Sequence, residues 1–183
     1  MNAVAELSQA TENYLSDRAV SKPNWTFSSQ TVALGTYGQH TVKLYDPDTI
    51  GWNYIKLITD TPLELEWLDA TVKGLGSTLS LARGWDTYDG APVSPRSVQR
   101  ALAFLFRFLE PSSPTPSVVP LSDGGVQIEW HRGGLDIEVT FSPREAPELY
   151  VRDLETGNEW DGDATPELIE QVRPLLARLR AAQ

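Results

Sequence analysis

Residues 126–141, "VQIEWHRGGLDIEVTF", constrain the fold more than any other stretch. Val126, Ile128 and Trp130 alternate with Gln127, Glu129 and His131. After a Gly-Gly pair, Leu135, Ile137, Val139 and Phe141 alternate with Asp136, Glu138 and Thr140. Side chains on a strand point to opposite faces with a period of two, so each arm is apolar on one face and polar on the other. The glycines supply the turn of an antiparallel hairpin whose wet face is acidic. Such a sheet must bury its apolar face against something, and the chain offers amphipathic helices for the purpose. The expected class is α+β: an antiparallel sheet of hairpins and meanders packed against helices.

Those helices are legible from caps and periodicity. "TPLELEWLDATVKGLGSTLSLA" reads as a helix with Thr61 as cap, Pro62 in its first turn and Glu64 completing a capping-box-like start. Leu65, Leu68, Val72, Leu75 and Leu79 form its stripe, while Gly74 and Gly76 either end it early or admit a close neighbour. Ser94-Pro95 starts a second helix, with Val98, Ala101, Leu102, Leu105, Phe108 and Leu109 on one side and Phe104 and Phe106 widening it. A third begins at Thr165-Pro166 and carries Leu168, Val172, Leu175, Leu176 and Leu179, with Pro174 expected to kink it.

Further strands are expected in "SVVPLSDGG" and "ELYVRD", with a hairpin about Thr156–Asn158 and "EWDGD" as a turn ahead of Thr165. Upstream, Thr31–Leu34 and Thr41–Tyr45 flank a "YGQH" turn signal, and "NYIKLIT" reads as a third strand. The chain therefore divides into an arm or short helix over 1–22, a β-rich part over 23–60 and an α+β core over 61–183.

Between the first two helices lies "RGWDTYDGAP". Asp86 and Asp89 suit local backbone hydrogen bonding, Gly90 suits a left-handed turn, and Trp85 and Tyr88 carry large rings with polar handles. One reading is a packed loop that satisfies itself and starts a helix. Another is a partner-binding loop built on Trp85, Asp86, Tyr88 and Asp89. A third is a catalytic or cation loop.

Composition narrows the chemistry. The chain has 183 residues, no cysteine and a net charge of −10, which excludes thiolate chemistry and makes direct nucleic-acid binding unfavourable. A neutral or basic protein partner fits that charge better. No secretory leader or membrane-length apolar run is visible, so a cytoplasmic protein is expected. His40 and His131 are the two histidines. Neither sits in an HExxH or triad pattern, and His131 reads as a solvated residue at a hairpin end. No phosphate-binding glycine motif is present, and no cofactor is expected.

The segment from Gly84 to Val151, "GWDTYDGAPVSPRSVQRALAFL" and then "PSVVPLSDGGVQIEWHRGGLDIEVTF", resembles a recurrent group of small, functionally uncharacterised bacterial proteins. Their shared pattern is Gly-Trp-Asp-Gly-Tyr, a Pro/Ser helix start, and Asp-Gly-Gly leading into a Glu-Trp strand and an acidic hairpin. Thr87 and Asp89 stand here where that group often has glycine. The resemblance implies a bacterial or phage origin, a shared α+β unit and a place among accessory genes of conflict systems. It implies no catalytic residues.

Taken together, the expected function is a non-catalytic interaction protein of antitoxin, immunity, defence-accessory or inhibitor type. It would bind another protein through Trp85, Asp86, Tyr88, Asp89 and the hairpin carboxylates Glu129, Asp136 and Glu138. The alternative is a divalent-metal-dependent hydrolase or nuclease that uses those three carboxylates to hold Mg²⁺ or Mn²⁺. A third possibility is a self-assembling protein that associates through its C-terminal helix.

Overall fold

The computed structural model describes residues 65–181, preceded by four strand segments. Those segments are β1 (Phe27–Ser28), β2 (Thr31–Tyr37), β3 (His40–Tyr45) and β4 (Leu57–Ile58), in one antiparallel sheet of that order. β2 and β3 pair from Thr31↔Tyr45 to Tyr37↔His40, with an irregularity between Ala33 and Gly35. The hairpin expected around "YGQH" is present, and its tip residues, like the arm over 1–22 and the Thr61 cap, lie outside the described residues. Among the described residues this sheet is separate from the second one.

The second sheet contains β5 (Ser117–Pro120), β6 (Val126–Arg132), β7 (Leu135–Phe141), β8 (Glu148–Asp153) and β9 (Glu159–Asp163), an antiparallel meander in chain order. Every neighbour is joined by a short turn, the simplest path for consecutive antiparallel strands. The β6–β7 turn is the two-residue type that matches strand twist: Gly133 and Gly134 both take positive φ, 61° and 69°. "EWDGD" is not a turn. It pairs with β8 from Glu148↔Asp163 to Arg152↔Glu159, because the Gly157 turn folds it back antiparallel.

The expected phase is observed. Val126, Ile128, Trp130, Leu135, Ile137, Val139, Phe141, Leu149 and Val151 are buried, and three helices supply the opposing layer. They are α1 (Leu68–Leu79), α2 (Pro95–Phe108) and α3 (Pro166–Ala181). α2 contacts β6 and β7 on one side and β2 of the other sheet, which explains why its buried surface is broader than one stripe. Phe104 packs edge-on against Phe141 at 5.5 Å. Among the described residues no helix is long and apolar enough to cross a membrane.

Helix ends differ from expectation at one place. The Ser94 hydroxyl accepts from the Arg96 amide at 3.2 Å and the Thr165 hydroxyl from Leu168 at 3.3 Å, as their caps require. α1, however, begins at Leu68 behind Trp67, without a side-chain cap. The chain just before it is committed elsewhere: the Glu66 amide donates to the Pro111 carbonyl and the Trp67 indole to Glu110. α1 also runs through both glycines. A Cβ on Gly74 would sit 3.2 Å from Val118, so this glycine lets β5 approach the helix closely.

The Pro/Ser connector over 110–116 is anchored by buried tryptophans. Trp67 donates its indole N–H to Glu110, and Trp130 donates to the Pro114 carbonyl at 2.9 Å. α3 is tied to the sheet by charge. Arg178 donates to Asp153 at 2.6 Å and lies 2.9 Å from Glu155, while Asp153 is only 2% exposed. The Arg178 guanidinium beside it, with hydrogen bonds from Thr156 and Glu155, holds the Asp153 carboxyl far below the usual range.

Candidate functional site

The loop from Gly84 to Pro92 is closed by its own backbone and one carboxylate. Gly84 donates to the Gly90 carbonyl at 2.8 Å, and Asp86 Oδ1 accepts from the amides of Tyr88 at 2.9 Å and Gly90 at 2.8 Å. Those amides, and then Ser122, hold the Asp86 carboxyl below its ordinary value. The Trp85 indole donates to the Ala91 carbonyl at 3.1 Å. The loop is then sewn to the β5–β6 turn: Ala91 donates to Ser122 and Ser94 donates to Gly124, each at 2.8 Å. A Cβ on Gly124 would stand 2.9 Å from the Pro92 carbonyl, so only glycine permits this approach.

The four loop residues singled out from sequence therefore divide. Trp85 and Asp86 are consumed in building the loop, and replacing Asp86 by lysine would open it instead of simply reversing a surface charge. Asp89 meets Arg83 at 3.3 Å with both side chains exposed. Tyr88 is 90% exposed, a ring displayed by a scaffold that gives it nothing to pack on. Thr87 and Asp89 on either side of it both have φ of 69°. That left-handed conformation is costly for a β-branched residue.

The second candidate is the face of the β5–β9 sheet opposite the helices. Strand register brings Glu129 opposite Glu138 and His131 opposite Asp136, then continues to Tyr150 opposite Glu138 and Arg152 opposite Asp136. On the edge strand, Glu159 faces Arg152 and Asp161 faces Tyr150. The three hairpin carboxylates do share this face, but other side chains already engage them. Gln127 Nε2 donates to Glu138 at 2.9 Å and to Glu129 at 3.2 Å. His131 Nδ1 lies 2.9 Å from Asp136, and its Nε2 lies 3.4 Å from Glu129.

His131 is exposed at the hairpin end, as expected, and also bridges two carboxylates. Its pKa is raised, chiefly by the hydrogen bond to Asp136 and further by Glu129, against a smaller desolvation penalty. A neutral imidazole has one N–H and can serve one carboxylate, whereas the imidazolium serves both. Gln127, His131, Tyr150 and Arg152 were not singled out from sequence. Their signal lay in the shared phase of neighbouring strands, which shows only once the register is known. Among the described residues no group of three or more histidine, aspartate or glutamate side chains is arranged to hold a metal ion.

Loop and bridge do not form one constellation. The loop docks where β6 begins, and the His131–Asp136 pair sits beside the turn where β6 ends. A strand of this length separates them by roughly 20 Å at about 3.3 Å per residue. A partner touching both would lie along the strands. The chain matches none of the family models, curated proteins or solved structures with which it was compared.

Proposed function

We propose that this is a non-catalytic interaction protein that engages another protein through the acidic face of the β5–β9 sheet, with Tyr88 as an aromatic anchor at one end. The observation that carries the reading is the face itself. Helices cover one side of the sheet, while the other presents Glu129, Asp136, Glu138, Glu148, Glu159 and Asp161, with Arg152 and His131 among them. Single-signed fields of this kind steer and select partners of opposite charge. Tyr88 fits the role because rigidly held tyrosines lose little entropy on binding and are frequent hot spots.

The residues expected to touch the partner are Tyr88, Asp89, Glu129, Asp136 and Glu138, joined on the same face by Glu148 and Asp161, with Trp85 and Asp86 holding the loop. The resemblance to small bacterial accessory proteins supports a cytoplasmic role in a bacterial or phage conflict system, of antitoxin, immunity, defence-accessory or inhibitor type. Tagged protein purified from a host carrying the neighbouring genes tests the reading. A stoichiometric partner should co-purify with the wild type and be lost with Tyr88→Ala and with Glu148→Lys/Asp161→Lys, both of which change exposed side chains. A partner retained at full yield by both variants would overturn it.

A further inference from the structure

We propose that the acidic sheet face takes a lysine- or arginine-bearing segment of a partner protein, whose cation displaces His131 from between Asp136 and Glu129, so that association releases a proton to solvent. This rests on the reading of the face as a docking surface and goes on to state what docks and what it replaces. Charged groups surround His131 on three strands. Its own strand β6 brings Glu129, and β7 brings Asp136 opposite and Glu138 on the same face. β8 brings Arg152, itself faced by Glu159 of β9, while β5 brings only uncharged Ser117 opposite Glu129. Arg132 adjoins it in sequence but belongs to the opposite phase of β6.

His131 is therefore an internal counterion that two carboxylates share, 46% exposed and at the turn end of the hairpin. An arriving ammonium or guanidinium offers the same carboxylates a permanent charge with more donors. Once displaced, the imidazole loses the partners that kept it protonated and gives up its proton. The occupant must come from outside this chain and be cationic. A second copy would set the same acidic face against itself, and in residues 1–64 acidic side chains also outnumber basic ones. An extended segment suits the surface, since its alternate side chains fall on one side with the two-residue repeat of the strand beneath.

Calorimetric titration with an octapeptide of alternating lysine and threonine, from pH 6 to pH 8, tests this. Wild-type affinity should rise severalfold from pH 6 to pH 8, the direction that release of a linked proton requires. His131→Gln should bind with little pH dependence, and the heat of wild-type binding should change with buffer ionisation enthalpy. Binding that is pH-independent in the wild type, or equally pH-dependent in His131→Gln, overturns the displacement while leaving the docking surface standing. No binding at any pH overturns both. A dimer that forms on this face without peptide, seen by light scattering, would make a second copy the occupant and overturn the proposal.

Discussion

Thr87 and Asp89 hold φ values of 69° on either side of the exposed Tyr88 ring. For residues other than glycine the left-handed region costs roughly 1–2 kcal/mol each, least for aspartate, whose short side chain finds local hydrogen bonds. Thr87 has no such relief, and its branched Cβ makes the position worse. Thr87→Gly should therefore stabilise the protein, by about 0.5–1 kcal/mol once the greater freedom of glycine in the unfolded chain is subtracted. Urea titration checks this, and a loss of stability would mean that the threonine side chain contributes something the geometry does not show. What the sequence could not show was the division of labour within the loop. Asp86 and Asp89 look alike on paper, yet one is bonded to two amides and the other projects to an arginine in solvent.

Hairpin and helices were legible because their signals are local. Alternation in 126–141 specifies which face is buried, a Gly-Gly pair specifies the turn, and Ser94-Pro95 and Thr165-Pro166 specify helix starts. Where long-range bonds compete, local signals lose. The start of α1 moved because Glu66 and Trp67 bond to a segment some 43 residues away, and "EWDGD" became a strand because β8 offered an unpaired edge. The tie between α3 and the sheet was equally invisible, since Asp153 and Arg178 are 25 residues apart. It carries a pH signature. The folded Asp153 carboxyl titrates well below its ordinary value of 3.8. Its contribution is therefore present above the unfolded value and is lost as pH falls towards the folded one. Arg178→Met should lower the melting temperature at neutral pH, by stranding a buried carboxylate, and should flatten its decline between pH 5 and pH 3. An unchanged acid profile would show that Arg178 does not hold the Asp153 charge.

At the scale of the molecule, among the described residues one layer of helices covers one face of an antiparallel meander, and the other face carries Glu129, Asp136, Glu138, Glu148, Glu159 and Asp161. Neutral residues on such a face would satisfy the fold equally well. The concentration of carboxylates, and the presence of one histidine shared between two of them, is what fold alone does not require. Those features could be read only in part from the sequence, because the face is assembled from strands whose register no short window contains. The central claim is that this face, and not the helical layer, meets the partner. Backbone amide shifts of the labelled protein, recorded as the co-purified partner is added, test it most directly. Perturbations are expected at Glu129, His131, Asp136, Glu138, Tyr150 and Asp161 and in the Tyr88 loop, with α1 and α3 unmoved; shifts confined to those helices, with the sheet face silent, would contradict docking on this face.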